Sequence, residues 1–513
     1  MTRRSGIALA LVCLALAIRL TFALAMPNDE PDDGRMYSLL AHNINANGVY
    51  SNDEEGPFNP TYVRVPGYPL FLATIYRVFG DGNNAAVRVV QALLDTGTCV
   101  LVALVTLTWS PRAWDADRRQ RAALAALALA AACPFVAIYV TTILTETLAC
   151  TLGMSVLLCA STALRDGGPR RLWVLTGVLG GLMTMVRPES GLYMAAVGLA
   201  LVFGDSPRRS DNGDSPRLPR RSDNRDSPRS PQRPGSGDSP RSARWQWRRL
   251  VWSGMALSAG FLVVLAPWTI RNAMLFRTFQ PLNPRTLSMP GEFAAEGYAV
   301  WLRSWIDHPR YVGPLLFAVD RDPINIAQVP DRAFDSPAER EEVASLFRRY
   351  NTPGSPADAD EEGHVPLVGM TPEIDAAFAD IGRARAARHP FRQYVVLPAK
   401  RAIMLWFDPH ADYYPFGGYL FPWASLDSDR HQQFWLPLFV ALTLAWTLIG
   451  WVGALALWRA PDSRQWLLLA ALVIIPRLIL LASMENPEPR YTMEFFPVIT
   501  ALGGCALPSR RRV

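Results

Sequence analysis

Charged residues are scarce in this 513-residue chain: Asp, Glu, Lys and Arg make up 19% of it, while 50% is hydrophobic. This balance, with a mean hydropathy of +0.09, excludes an ordinary soluble enzyme. Cysteine is rare as well. The six cysteines all lie in apolar stretches, where they behave as small apolar residues, and their spacing predicts neither a disulfide framework nor a zinc site.

What the chain does have is a series of apolar stretches near the roughly 20-residue length that spans a bilayer. Their flanking charges alternate as expected if basic ends stay in the cytoplasm. We therefore predict an all-α polytopic membrane protein with about ten transmembrane helices, both termini cytoplasmic, in a plasma (bacterial inner) membrane. The predicted spans are residues 6–26, 85–109, 122–139, 143–164, 172–186, 191–203, 250–270, 434–457, 465–483 and 495–507.

These spans divide the chain into segments of different composition. Residues 1–204 form a predicted transmembrane catalytic module, whose first outer loop, 27–84, carries short helices next to the membrane. Residues 205–249 repeat Asp-Ser-Pro-Arg without apolar periodicity, which predicts a disordered cytoplasmic loop. After the 250–270 span comes a smaller mixed extracytoplasmic region, 271–433, with a predicted in-plane helix near 394–407, and then the C-terminal spans within 434–513.

The disordered loop accounts for the basic character of the whole protein. It contains twelve Arg and six Asp, a surplus equal to the formal charge of +6 of the full chain. Its expected neighbours are anionic membrane lipids, and nucleic acid is not implied. All six histidines, by contrast, lie on the predicted outside, which places the polar chemistry on the extracytoplasmic face.

The most informative feature is the acid pair Asp32-Asp33, which follows the first apolar stretch. Carboxylates anchored beside a membrane helix are costly unless they face water or a substrate. The simpler interpretation is an acidic surface loop, and a single Arg at a span end is usually a membrane anchor or a structural ion-pair partner. Several charged ends nevertheless converge on one predicted face, and arginines are well suited to binding phosphate. These ends contain Glu146, Arg187, Glu189, Arg271, Arg490 and Tyr491.

The order of these motifs resembles the GT-C superfamily of membrane glycosyltransferases, in particular the bacterial protein O-mannosyltransferase and aminoarabinose-transferase (glycosyltransferase family 39-like) branch. The resemblance starts with an acid four positions before Tyr37 and continues with Arg64 ahead of Pro66 and an aromatic-rich stretch. Arg187-Pro188-Glu189, Pro267 to Asn272, and Pro489-Arg490-Tyr491 resemble further recurring stretches. Two positions depart from the pattern: Gly34 stands where many relatives carry a second acid, and Arg64 is two residues before the proline.

The resemblance implies transfer of a sugar from a polyprenyl phosphate to a protein, glycan or lipid acceptor outside the cytoplasm. It implies Asp33 as general base, with Asp32 second, because a hydroxyl that attacks an anomeric carbon must lose its proton. Cations would stabilise the phosphate leaving group, and a single catalytic carboxylate implies inversion at the sugar carbon. The candidates for the phosphate are Arg64, Arg271, Arg490 and, further back, Arg187, with Tyr37, Glu146, Glu189 and Tyr491 in support.

No cofactor is implied, and dependence on a divalent metal stays open. The oxygen and nitrogen donors of the 408–412 and 427–431 stretches match no metal-binding loop, and Asp115-Ala116-Asp117 is interpreted as charge balance among arginines. Two rival functions are a transporter or flippase of lipid-linked sugars and a polysaccharide ligase or polymerase. The first is expected to have internal pseudo-symmetry and charges at mid-membrane, neither of which is evident in the sequence.

Overall fold

The computed structural model describes residues 3–28, 30–166, 168–204, 240–284, 286, 288–289, 291–354, 366–426 and 429–506. The first nine helices are α1 (Arg3–Ala25), α2 (Asp32–Ala46), α3 (Gly67–Phe79), α4 (Asn84–Trp109), α5 (Ala116–Ala132), α6 (Pro134–Ala137), α7 (Glu146–Asp166), α8 (Arg170–Val186) and α9 (Gly191–Gly204). The others are α10 (Pro240–Phe276), α11 (Glu296–Arg303), α12 (Pro337–Tyr350), α13 (Pro372–Arg388), α14 (Leu397–Phe407), α15 (Arg430–Trp458), α16 (Arg464–Ala482) and α17 (Phe495–Gly503). The described residues contain no β-strand, only one isolated bridge between Pro353 and Leu367.

Long apolar helices dominate this fold. Six described helices are long and apolar enough to cross a membrane, and a bent pair made of 116–132 and 134–141 raises the number to seven. Nine of the ten predicted spans each coincide with one helix, and the 122–139 span runs over the bent pair, but α8, α9 and α17 have only 17, 14 and 9 residues. The all-α polytopic fold is thus confirmed, and a count of ten spans is not.

The bent pair breaks at Pro134, and a buried arginine stabilises the break. Proline has no N–H to donate, so the carbonyl of Ala130 loses its helical partner. Arg19 on α1 donates to this carbonyl at 2.9 Å and to that of Ala131 at 2.6 Å. Its Nε atom also lies 2.7 Å from Oδ2 of Asp95 on α4, and both side chains are about 1% exposed. Charged residues therefore do lie inside candidate spans, contrary to the sequence-based expectation.

We expect Arg19→Met to lower the free energy of unfolding by about 3–5 kcal/mol, because the substitution leaves the Asp95 carboxylate buried without its partner. The double variant Arg19→Met, Asp95→Leu should recover most of this loss. Thermal melting of the purified protein in detergent checks both. Equal melting temperatures for the native chain and Arg19→Met would contradict the assigned role of the pair.

The 271–433 region folds around its own aromatic core. Trp301, Phe347 and Phe378, from α11, α12 and α13, are buried against one another with ring centroids 5.1 to 5.9 Å apart. Arg385 is buried beside this core and pairs with Glu339 at 2.6 Å. The described part of the region is helical or irregular, and the predicted helix near 394–407 is present as α14 and the turn before it.

One sequence-based boundary changes. Helix α10 begins at Pro240, so its first turns include residues that we assigned to the 205–249 loop. The rest of that loop, together with His364 and the basic end at 510–512, lies outside the described residues. The six cysteines are all free.

Candidate functional site

Asp33 lies in the first turn of α2, where the helix dipole favours a negative charge. The next residue is Gly34, which has no side chain. A Cβ atom at Gly34 would come within 2.9 Å of the carbonyl oxygen of Ile143. Because Gly34 has no side chain, α2 can approach the segment before α7. Helix α7 itself begins at Glu146.

Two arginines hold the Asp33 carboxylate. Nη2 of Arg64 lies 2.5 Å from Oδ1, and Nη2 of Arg490 lies 3.1 Å from Oδ2, although Arg490 is 457 residues away in sequence. Burial alone would raise the pKa of Asp33, but Arg64 and then Arg490 outweigh it, so its pKa lies below the ordinary value. Asp33 is therefore a carboxylate at neutral pH, and its ion pairs make it a weak base.

Asp32 points elsewhere. Its Oδ2 atom lies 2.8 Å from Nη1 of Arg321 in the 271–433 region, and both side chains are exposed. An exposed pair of this kind contributes little to stability. Of the two adjacent acids, only Asp33 contacts arginines that the sequence analysis named as candidates for binding phosphate.

Arg187 belongs to a separate buried network. It lies 2.9 Å from both Glu146 and Glu189 and 3.4 Å from Glu494. Arg477, on α16, pairs with Glu494 and lies 3.3 Å from Glu189. Three carboxylates thus surround two guanidinium groups. Arg187 is already neutralised, which makes it a poor phosphate ligand and a good structural support for the site.

A close backbone approach brings this network to Asp33. A Cβ atom at Gly67, the first residue of α3, would lie 2.4 Å from the carbonyl oxygen of Met185. Without a side chain at Gly67, the start of α3 packs against the end of α8. This contact brings the segment that carries Arg64 next to Arg187.

Arg271 does not join the other candidates. Its Nη1 atom donates to the carbonyl of Thr61 at 2.9 Å, and its guanidinium lies over the rings of Trp268 and Tyr50, 4.8 and 5.4 Å from their centroids. It lines neither of the cavities at Asp33. The contact with Thr61 instead supports the backbone three residues before Arg64.

Two tyrosines complete the surroundings. Tyr37 packs edge-on against Tyr68 at 5.2 Å, and burial raises its pKa to about 12, so it remains a phenol. The ring of Tyr491 lies between two guanidinium groups, 5.6 Å from that of Arg187 and 5.3 Å from that of Arg490. The ring of Tyr491 therefore limits how far Arg187 and Arg490 can move, and the ring of Tyr37 lies 5.8 Å from the guanidinium of Arg64.

Two cavities meet at Asp33. The smaller, of about 330 Å³, is lined by the charged network, by Tyr37 and Tyr491, and by the apolar side chains Leu480, Leu481 and Met484. The larger, of about 680 Å³, opens toward the 271–433 region and includes Val312, Phe317, Tyr413 and Tyr419. The residues common to both linings are Asp33, Arg64 and Arg490. Any chemistry between a molecule in one cavity and a molecule in the other would take place at these three side chains.

Asp412 is a further acid in the larger cavity. Its side chain is exposed to the cavity, and no cation in the described part of the chain pairs with it. Reduced hydration inside the cavity, followed by the nearby Glu488, raises the pKa of Asp412 to about 6. The sequence indicated only a cluster of donors at 408–412, and in the structure His410 packs against Phe135 and Phe496 instead.

Sequence reasoning also missed Arg477 and Glu494. A signal was available for Arg477, because a lone arginine inside an apolar helix is rarely accidental. Among the described residues, no group of three or more His, Cys, Asp or Glu side chains is arranged to hold a metal ion. Asp115 caps α5, and Asp117 pairs with Arg121 at 3.2 Å.

Part of the chain matches a known protein family. Residues 60–212 match the family model of dolichyl-phosphate-mannose-protein mannosyltransferases, a range that contains Arg64, Glu146, Arg187 and Glu189. The match confirms the resemblance to membrane glycosyltransferases of the GT-C type. No curated protein sequence matches the chain.

Solved structures of two other proteins are similar to the chain. One is the archaeal oligosaccharyltransferase AglB from Archaeoglobus fulgidus, in complex with an inhibitory peptide and a dolichol-phosphate. The match has 13% sequence identity and a TM-score of 0.46, and it covers 97% of this chain and 50% of that chain. The other is ArnT from Cupriavidus metallidurans bound to undecaprenyl phosphate. This match has 12% sequence identity and a TM-score of 0.37, and it covers 97% of this chain and 78% of that chain. The chain thus spans about half the length of the archaeal protein.

Proposed function

We propose that this protein is an integral membrane glycosyltransferase that moves a sugar from a polyprenyl-phosphate donor to an acceptor hydroxyl on the extracytoplasmic face, with inversion at the sugar carbon. The observation that carries the proposal is the position of Asp33, Arg64 and Arg490 between the two cavities. A carboxylate and two cations at one junction are what the reaction needs: a base for the hydroxyl and positive charge for the leaving phosphate.

The smaller cavity suits the donor. Its apolar side chains, Leu480, Leu481 and Met484, can contact the first units of a polyprenyl chain, while Arg64 and Arg490 face the same space. Guanidinium groups bind phosphate oxygens through paired, charge-assisted hydrogen bonds. The donor would therefore bind with its phosphate at the junction and its sugar toward the larger cavity, which would hold the acceptor.

In the reaction, the acceptor oxygen forms a bond to the anomeric carbon as the bond from that carbon to the phosphate oxygen breaks. The hydroxyl proton passes to the Asp33 carboxylate, and the electron pair of the broken bond leaves on the polyprenyl phosphate. Arg64 and Arg490 stabilise the growing negative charge there. One carboxylate suffices for this single displacement, which is why inversion is expected.

Donor binding also changes Asp33 itself. In the unliganded protein both arginines lower its pKa. A phosphate at the junction would compete for the same guanidinium groups and release the carboxylate, whose pKa would then rise toward that of a useful base. The base would thus become effective only after the donor has bound.

The larger cavity indicates the charge of the acceptor. Its arginines all have carboxylate partners: Arg64 with Asp33, Arg321 with Asp32, and Arg490 with Asp33 and Glu488. None of the described cations lies at ion-pair distance from Asp412, so the lining carries a surplus of negative charge. A neutral or cationic hydroxyl-bearing acceptor, such as a protein or glycan segment, therefore fits better than an anionic lipid.

Acceptor binding should consequently depend on pH through Asp412. The raised pKa of about 6 means that the side chain is ionised above that pH and protonated below it. We expect the KM for the acceptor substrate to rise about tenfold as the pH falls through 6. Protonation turns the Asp412 carboxylate from a charged hydrogen-bonding group into a neutral one. Steady-state transfer between pH 5 and 8 measures this. In Asp412→Asn the KM should be high at every pH. If the KM of that variant still rose below pH 6 as in the native chain, the pH dependence would belong to another group.

The test of the function itself uses the purified full chain in liposomes, an extract of envelope acceptors, and radiolabelled sugars supplied as polyprenyl phosphates or as nucleotide sugars. We expect label to reach acceptor from a polyprenyl phosphate only. Transfer from a nucleotide sugar alone would refute the proposal. Movement of intact labelled lipid across the bilayer without transfer would favour the transporter instead.

A further inference from the structure

A third cavity, of about 440 Å³, shares no residue with the two at Asp33. We call it the basic cavity. Its polar lining consists of Asp307, His308, Arg310, Arg332 and Lys400, and its apolar lining consists of Ile403, Met404, Phe421 and Pro422. It lies between the segment that follows α11 and one side of α14, so it takes no part in the proposed transfer reaction.

Positive charge exceeds negative charge in the basic cavity. Asp307 lies 2.6 Å from Arg332 and 3.4 Å from Lys400, so one carboxylate serves two cations. Arg310 has no carboxylate within ion-pair distance among the residues that the structure describes, and its guanidinium donates to the hydroxyl of Tyr311. The lining therefore carries a surplus of two positive charges when no ligand is bound.

Hydrogen-bond donors without partners lie at the same place. His308 is 8% exposed, and its Nδ1 atom accepts from the N–H of Arg310 at 3.2 Å, which leaves the ring proton on Nε2. Burial, and then Arg310, lower the pKa of His308 to about 4, so the ring is neutral at pH 7. Its Nε2 atom and Nε of Arg310 are buried and have no hydrogen-bond partner in the described structure. Buried donors are normally satisfied, so these two indicate a missing acceptor.

The rim of the basic cavity is apolar and open. Ile403 and Phe421 in the lining are 57% and 53% exposed. Phe391, Tyr394 and Trp423, near them in sequence, are also exposed. Aromatic and aliphatic side chains of this kind lie at the level of lipid headgroups in membrane proteins. The cavity therefore combines a cationic interior with a rim that favours lipid.

We propose that the basic cavity binds the phosphate headgroup of an anionic bilayer lipid. Arg310 and Lys400 would supply charge, His308 would donate to a phosphate oxygen, and the acyl chains would lie along Ile403 and Phe421. Phosphate suits this lining because it offers several strong acceptor oxygens to converging donors. The inference does not depend on the proposed glycosyl transfer.

Lys400 is the only lysine in the sequence, and this makes the site directly measurable. The full chain is placed in nanodiscs of phosphatidylcholine, with or without phosphatidylglycerol, and treated with an amine-reactive reagent. The labelling rate of the Lys400 peptide is then followed by mass spectrometry. We expect phosphatidylglycerol to slow labelling about tenfold, the size expected for one or two basic contacts at an anionic surface. Inorganic phosphate in phosphatidylcholine discs should change the rate little.

Two variants separate a built site from a general surface effect. Arg310→Gln should lose most of the protection. Arg383→Gln removes the same charge from an exposed pair with Asp380 and should keep it. Equal slowing in the native chain and Arg310→Gln would overturn the proposal, and so would protection by inorganic phosphate that matches the lipid effect. Thermal melting checks that the variants fold, and if Arg310→Gln does not, His308→Phe serves instead.

Discussion

Asp33→Asn should lose nearly all transfer of sugar from a polyprenyl-phosphate donor while the protein still folds and inserts. The amide keeps the shape of the carboxylate but cannot take the proton of the acceptor hydroxyl. Loss of a positioned general base slows such reactions by about 10² to 10⁴-fold. The loss should appear in kcat, because Arg64 and Arg490, which we propose as the ligands of the donor phosphate, remain.

Asp32→Asn is the matched control, since it removes the same charge from the neighbouring residue. Within the part of the chain that the structure describes, Asp32 pairs only with the exposed Arg321, so its loss should change transfer by less than about threefold. Labelled-sugar transfer by equal amounts of folded protein measures both variants. Native-level transfer by Asp33→Asn, or equal losses in the two variants, would remove Asp33 from the role of base.

Arg490→Gln is the second change with a large expected effect. Arg490 contacts Asp33 and Glu488 and faces both cavities, so it is placed to bind the phosphate both before and during bond cleavage. Removing one such stabilising donor costs about 10² to 10³-fold in kcat. The KM for donor should rise as well, and Arg64→Gln should behave in the same way.

Arg271→Gln separates this geometry from the sequence motif alone. The sequence nominated Arg271 on equal terms with Arg64 and Arg490, but it binds the Thr61 carbonyl and lines neither cavity at Asp33. We expect Arg271→Gln to lower the melting temperature and to leave the KM for donor nearly unchanged. A donor KM that rises in Arg271→Gln and stays constant in Arg490→Gln would contradict the assignment of the phosphate site.

The sequence was sufficient to predict the helical fold and the residues near its centre. Hydrophobic runs locate the helices because each must bury its backbone polar groups in a membrane. The family resemblance then named Asp33, Arg64 and Arg490 among its candidates, together with Arg271 and Arg187, and the first three do meet. The short helix predicted within the first loop is present as α2.

Other parts of the site depend on tertiary contacts that no local pattern encodes. Arg187 stands in a short sequence motif, as Arg490 does. Only the structure, in which Arg187 pairs with Glu146 and Glu494, reveals that its charge is neutralised. Asp412 resembles a solvated turn residue until the chain brings it to the cavity that contains Asp33. Charges inside spans were discounted, although Arg19 and Asp95 satisfy each other across two helices.

A structure of the full chain with polyprenyl phosphate bound would test the central claim most directly. We expect the phosphate within hydrogen-bond distance of Arg64 and Arg490 in the smaller cavity, and the Asp33 carboxylate released from both arginines and turned toward the larger one. A phosphate bound at Arg271, or a bound lipid that leaves both Asp33 ion pairs intact, would contradict the account.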